Sequence, residues 1–476
     1  MDTIQSRGRQ SIPDVAGIIY DAVINRLAPL KIALWLTLAA LLRIPLLFDG
    51  PWYDEAFTMW LADLPLEQML AATAGDVHPP LWYLISWLTG AVFGVSALTM
   101  RLPAFIFGLL ALWLSYRVFT VAQVPRPVTM VALGLLTINP FAIYYSAEGR
   151  MYSVLLVLVL WAVLSVQTER WWQLGAAIGL GLLTHNLMAL YIPALLVIVR
   201  PGWGLIRSGL LAGLIWVPWG PVLVNQVEAV NNGFWVLPIT PGRAVYLLYH
   251  LLAGPPKEPY FMPIALIVFA LLAVGWWPRR LSMWSVLAFG PLLLGWAISV
   301  AYTPILIPRV LIGSVPFLAM LLAYGVVTIH NRFGVWSIVP GLIAVGLVLA
   351  STYLVDFRPD YAARYNQVPV ASGDNCYHLT PASMILSKPY LDCNHYLWPQ
   401  ANTLEQTLTD TTKQAMGMQQ AEFADIPPGK TWLFHNAGPF STPEEFTQVK
   451  TIVGDAPPVI LDDTGVIVAQ VWEVQR

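Results

Sequence analysis

Apolar positions run almost unbroken from Leu30 to Leu354, and polar ones take over from about Val355. The runs long enough to span a bilayer, or nearly so, are Leu30–Phe48, Leu98–Ala122, Val128–Ile143, Met151–Val166, Leu174–Thr184, Leu187–Val199, Leu205–Val224, Phe261–Trp277, Leu281–Val300, Val310–Ile329 and Val335–Leu354. They predict about eleven membrane-spanning helices. After Val355 short alternating stretches such as TWLFH and VIVAQVWEV sit among Asp, Asn, Thr, Gln and Pro, a pattern of strands and loops. The pattern divides the chain into an all-α polytopic membrane domain, residues 1–354, and a soluble α/β domain, residues 355–476.

The run Pro79–Phe93 is ambiguous, and the basic residues decide its reading. With Pro79–Phe93 lying along the outer surface, twelve Lys or Arg fall inside: Arg7, Arg9, Arg26, Lys31, Arg117, Arg126, Arg170, Arg200, Arg207, Arg279, Arg280 and Arg332. Six fall outside: Arg43, Arg101, Arg150, Arg243, Lys257 and Arg309. That bias obeys the positive-inside rule. Trp82, Tyr83 and Trp87 are then expected to form an aromatic face at the membrane interface. The same topology puts the loop Asn225–Tyr260, the segment Tyr302–Val310 and the C-terminal domain on the outer side.

Composition agrees: 57% of residues are hydrophobic and only 11% charged, more apolar surface than a soluble core can hide. A net charge of -2 and the absence of a long basic run exclude nucleic acid as a partner. The first thirty residues show no cleavable signal pattern, so the first span is expected to anchor the chain. No phosphate-binding glycine motif and no zinc-type spacing of His or Cys occurs. The two cysteines, Cys376 and Cys393, both lie in the outer domain, where a disulfide is expected.

The chemistry gathers between Phe48 and Tyr83. Six carboxylates (Asp49, Asp54, Glu55, Asp63, Glu67, Asp76) and His78 crowd this stretch, interleaved with Trp52, Tyr53, Phe57, Trp60, Trp82 and Tyr83. A solvated loop has no use for so many aromatics, and the mixture indicates a site at the bilayer surface. Asp54 and Glu55 are adjacent, so their side chains diverge and their roles differ. One suits a general base on an acceptor hydroxyl, while the other pairs with a cation or caps the helix that follows. Arg150, His185 and Arg309 stand at the outer ends of three other apolar runs. Lone cations there often only snorkel to the headgroups, but three converging on one acidic loop suit a phosphate held at the membrane surface.

The series YDEAF, HPPLWYLISWL, SAEGRMYSVLLVL, GLGLLTHN and PRVLIGSVPFLAMLLAYGV, in this order, resembles the polytopic GT-C glycosyltransferases of the protein O-mannosyltransferase and aminoarabinose-transferase type, over about residues 30–330. The resemblance implies an integral, multi-pass enzyme of the plasma (inner) membrane. It would move a sugar from a polyprenyl-phosphate donor to a lipid, glycan or protein acceptor on the outer face. It further implies that Asp54 is the catalytic carboxylate with Glu55 beside it, and that His78, Glu148 and Arg150 belong to the site. His185 would stand where relatives carry a lysine near the phosphate, and Arg309, with Tyr302 upstream, would meet the carrier phosphate. The scheme inverts the sugar and needs no metal and no cofactor, since fixed guanidinium groups can stabilise the departing phosphate. The rival class, a transporter or lipid flippase, calls for paired repeats and ionisable residues at mid-membrane. The sequence shows neither.

Overall fold

A computed structural model describes residues 32–232, 236, 238–255, 261–337, 345, 346, 348, 353, 365–399, 409–437, 443–454, 456–463 and 468–475. Its first helix, α1 (Ile32–Phe48), meets α2 (Tyr53–Asp63) at 80°. The chain turns at the Gly50-Pro51 step, where proline cannot donate the next helical hydrogen bond. Then come α3 (Leu66–Gly75), α4 (Leu81–Phe93) and α5 (Ala97–Val121), the last started by Ser96, whose hydroxyl accepts from the Thr99 N–H. Helices α6 (Arg126–Ile138) and α7 (Pro140–Ser146) bend by 58° about Asn139, whose side chain caps α7 and also donates to the carbonyls of Leu251 and Leu252. Next are α8 (Tyr152–Gln167) and α9 (Trp171–Thr184).

Among the described residues five helices are long and apolar enough to cross a membrane: α5, Trp203–Val227, Phe261–Arg279, Met283–Ala301 and Pro308–Phe333. Counting each bent pair, α1 with α2 and α6 with α7, as one span gives seven. The shorter runs fold as α8, α9 and Asn186–Ile198; α8, at 16 residues the longest of them, reaches about 24 Å against a hydrocarbon core of about 30 Å. The run Val335–Leu354 falls largely outside the described residues. Apolar residues surround α8, and most of it is buried, which makes it the central post of the bundle. Phe261–Arg279 packs tightly on Pro308–Phe333, where a Cβ on Gly275 would strike the Leu321 carbonyl and one on Gly325 the Leu271 carbonyl.

Helix α4 corrects one expectation. Trp82 and Tyr83 are wholly buried in the protein, and the exposed side chains are Leu88, Val92 and Phe93. Two of the aromatics find polar partners within the protein: Tyr83 Oη donates to Asp76 Oδ2 and Trp87 Nε1 to the Leu64 carbonyl. At 13 residues, α4 is about 20 Å long and presents an apolar outer face.

The C-terminal unit is a five-stranded mixed sheet in the order β2-β1-β3-β5-β4, with β1 (Asn375–His378), β2 (Asn394–Leu397), β3 (Lys430–Ala437), β4 (Val459–Asp463) and β5 (Val468–Gln475). Strand β1 runs parallel to β2 and β3, and β5 antiparallel to β3 and β4. The helix Pro381–Ser387 makes the parallel crossover from β1 to β2. Cys376 and Cys393 form the expected disulfide. The sheet unit sits on α2 and α3: Trp60 Nε1 donates to the Met416 carbonyl, Thr412 Oγ1 to the Ala72 carbonyl and Tyr390 Oη to the Pro51 carbonyl. Lys388 Nζ lies 3.6 Å from the Trp60 ring centroid.

Candidate active site

Asp54 and Glu55 occupy the first turn of α2, where backbone N–H groups and the helix dipole favour carboxylates. Adjacent helical positions point apart, and here they point to different partners. Glu55, 1% exposed, grips Arg101 from α5, which is wholly buried: Arg101 Nη2 donates to Oε2 at 2.6 Å and Nε to Oε1 at 2.8 Å. The Gly149 N–H donates to Oε1 at 2.7 Å and the Trp52 N–H to Oε2 at 3.4 Å, so Glu55 also caps α2. The remaining Arg101 donors hold the carbonyls of Leu47, Asp49 and Gly50. Glu55, expected beside Asp54 in the chemistry, therefore serves as the clasp that fixes the α1–α2 turn.

Asp54 faces the other way, with 14% of its side chain exposed. Arg309, in the 3-10 turn Pro308–Ser314, donates from Nη1 to Asp54 Oδ2 at 2.9 Å, and Arg150 Nε lies 3.8 Å from the same oxygen. The Arg309 guanidinium sits 5.9 Å from the Trp52 ring centroid and 5.7 Å from that of Tyr152, within cation–π range. Trp52 is held in turn by its Nε1–H, which donates to Glu148 Oε1 at 2.9 Å. Arg150 is 2% exposed; its Nη1 donates to Tyr83 Oη at 3.2 Å and Thr58 Oγ1 at 3.3 Å. The cations thus face the carboxylate from two sides.

His78 pairs with Asp76 (Nδ1 to Oδ2, 2.9 Å) and its Nε2 lies 3.5 Å from Arg150 Nη2. Burial alone would push the Asp76 carboxyl up. His78, by charge and hydrogen bond, the Val77 N–H and the Arg150 charge together outweigh burial and hold it below the usual carboxylate range. His185 stacks edge-on to His78 with ring centroids 5.6 Å apart. Burial first, then the charges of His78, Arg309 and Arg150, pushes His185 well below the usual histidine range. It is neutral at pH 7, and its Nδ1 accepts from the Leu187 N–H.

The structure thus brings together Asp54, His78, Glu148, Arg150, His185 and Arg309. Tyr302 is different: at the end of Met283–Ala301 it is 70% exposed. The sequence reading missed Arg101, counted there as an outer-surface cation, and Tyr83, counted as an interfacial ring. An arginine five residues into an otherwise apolar helix was the available signal, since a charge there demands a buried partner. Asp76 stood among the acidic residues of the loop, but nothing in its spacing marked it out. One group of metal-ligating residues lies close together among the described residues, Cys376, Cys393 and His395, and its cysteines are tied in the disulfide.

Residues 77–216 match the protein family described as dolichyl-phosphate-mannose-protein mannosyltransferase. That segment holds His78, Glu148, Arg150 and His185. No curated protein sequence matches the chain. Among solved structures, ArnT from Cupriavidus metallidurans bound to undecaprenyl phosphate aligns over 93% of this chain and 98% of its own, with 15% identity and a TM-score of 0.54. The same enzyme in the apo state aligns over 92% and 97%, with 14% identity and a TM-score of 0.53. The likeness therefore extends through the C-terminal sheet as well as the bundle. Fold and family match agree that this integral membrane protein has the GT-C fold and is similar to the GT-C glycosyltransferases.

Proposed function

We propose that this protein transfers a sugar from a polyprenyl-phosphate carrier to a hydroxyl-bearing acceptor at the outer face of the membrane, with inversion at the anomeric carbon. The observation that carries the reading is the pair of guanidinium groups, Arg309 and Arg150, converging on Asp54 Oδ2 in a mostly buried site. Undecaprenyl phosphate, the ligand of the similar ArnT structure, has the anion such a pair would hold. Family match and shared fold support the same class of donor.

Paired with Arg309 at 2.9 Å, Asp54 is neutralised, which suits neither a base nor a phosphate site. A donor phosphate competes for both guanidinium groups and draws Arg309 off the carboxylate, while Arg150, 3.8 Å from it, adds its charge from where it stands. Asp54 then accepts the proton as the acceptor O–H bond breaks. The acceptor oxygen bonds to the anomeric carbon from the face opposite the phosphate, the carbon–oxygen bond to phosphate breaks, and its electron pair stays on the phosphate. Arg309 and Arg150 stabilise that growing charge. Such stabilisation is strongest in a dry site, which the burial of Arg150, Glu148 and Tyr83 supplies. The scheme draws on no metal or cofactor.

The C-terminal domain lies on α2 and α3, the elements that carry Asp54 and lead to Asp76, so it belongs on the same outer side as the reaction. The test is transfer of labelled sugar from a polyprenyl-phosphate carrier by the purified protein, run beside movement of the intact lipid across vesicles. Transfer without movement supports the reading; movement of the lipid without transfer makes the protein a flippase.

A further inference from the structure

Arg150 carries a full charge at 2% exposure, yet its nearest carboxylate contact, Asp54 Oδ2, is 3.8 Å away. Among the described residues its buried Nε–H has no hydrogen-bond partner, and Nε is the guanidinium atom nearest that oxygen in the ion pair. An ion so placed needs compensation from elsewhere. Beside Asp54, a second carboxylate, Asp76, adds to it without touching the guanidinium. Asp76 Oδ2 accepts from His78 Nδ1 and from Tyr83 Oη at 3.1 Å, and the far ends of both side chains meet Arg150 at Nη2 and Nη1. Asp76, His78, Arg150 and Tyr83 thus close a ring.

We propose that Asp76 and Tyr83 are positioning residues that orient Arg150 and His78 through this closed ring of hydrogen bonds, so that the Arg150 Nε edge faces Asp54. The proposal rests on the reading of Asp54 as the reacting carboxylate and deepens it. Donor directions fix the sense of the ring. The Asp76 carboxylate can only accept, so it takes the Nδ1–H of His78, and in the neutral imidazole the Nε2 lone pair faces Arg150. Tyr83 must spend its single proton on the same carboxylate, which leaves its oxygen lone pairs to accept from Arg150 Nη1. No member of the ring can therefore turn without breaking two contacts.

The backbone beneath the ring is pinned from other spans. Gln226 Nε2 donates to the carbonyls of Thr73 and His78, and Asn186 Nδ2 to the Val77 carbonyl. Asn186 Nδ2 also donates to Gln226 Oε1, which joins the two clamps. The Asp76–His78 turn is thereby fixed against Trp203–Val227 and the start of Asn186–Ile198. A rigid frame of this kind keeps a guanidinium in one orientation.

The test is a double-mutant cycle on the full chain in nanodiscs, reading both sugar-transfer rate and affinity for polyprenyl phosphate alone. Asp76→Asn, His78→Ala and Tyr83→Phe should each lower turnover about ten- to hundredfold, the range of one hydrogen bond to a charged group, and each should weaken polyprenyl phosphate binding. The double variant Asp76→Asn with His78→Ala should lose less than the product of the two single losses, because Asp76 acts in part through His78. Losses that multiply in the double variant, or a Tyr83→Phe variant at the wild-type rate and affinity, overturn the proposal. If Asp76→Asn does not fold, Tyr83→Phe combined with His78→Ala is read by the same rule. A chain that transfers no sugar but shows coupled losses of affinity would sink the transferase reading and leave the ring standing.

Discussion

Two neighbouring carboxylates in one helical turn meet opposite environments. Glu55 is sealed against Arg101, while Asp54 keeps part of its surface open and shares its oxygen with Arg309 and Arg150. The sequence shows that the two must differ, because adjacent helical residues diverge, but not which is which. That depended on Arg101, a residue forty-six positions away. Removing one member of a buried pair leaves the other uncompensated, which typically costs about 3–5 kcal/mol. Arg101→Ala is therefore expected to lower thermal stability by that order while Arg243→Ala, at an exposed helix start, changes it little. Unfolding followed by tryptophan fluorescence in detergent checks this, and equal melting of the two variants would contradict the clasp.

Among the elements, the long apolar runs were legible because a bilayer demands apolar lengths, and α5 and Pro308–Phe333 lie where the pattern put them. Helix α4 was misread for a definite reason. Trp, Tyr and Trp at helical spacing suit a membrane interface and a protein core equally well, and only the polar partners, Asp76 and the Leu64 carbonyl, decide between them. The strand pattern and the disulfide of the C-terminal unit were also legible, but its docking on α2 and α3 was not, since Trp60 and Met416 share no sequence signal. That unit holds a buried pair, His378 Nε2 to His395 Nδ1 at 2.9 Å. Burial, with the Lys388 charge adding and the Leu391 carbonyl and Asp392 opposing, pushes His395 down to about 4, and burial with the His395 charge pushes His378 well down. In the unfolded chain histidine titrates near 6.5, so below that pH the unfolded form binds protons the folded form refuses. Stability of the domain should be full above about pH 6.5 and fall toward pH 4, by on the order of 3 kcal/mol for His395 alone. Near-ultraviolet circular dichroism of denaturant unfolding at several pH values measures the slope. A flat profile between pH 7 and 4 would contradict the neutral pair.

For the molecule as a whole, the charge bias and the docking of the sheet on α2 and α3 lead to one orientation. Lys430→Cys, in the C-terminal sheet, should react with an impermeant thiol reagent in intact cells, and Arg280→Cys only after permeabilisation. Label on position 280 but not on 430 would invert the topology. The general class was readable from the chain because five short motifs kept their order. The ring through Asp76 and Tyr83 was not, because it joins two loops and one helix at contacts that no periodicity encodes.

The central claim is that Asp54 is the proton acceptor of a sugar transfer, and Asp54→Asn tests it most directly. The amide is nearly isosteric, and the helix start does not depend on this side chain, since Glu55 supplies the cap. Loss of a general base lowers rates by about a hundred- to ten-thousandfold. With saturating polyprenyl-phosphate sugar and purified protein in nanodiscs, the variant should lose transfer by that factor and still bind the donor. Arg309→Ala in the same assay should chiefly weaken donor binding. An Asp54→Asn variant that keeps more than about a tenth of the wild-type rate would be too active for an enzyme stripped of its base, and would contradict the account.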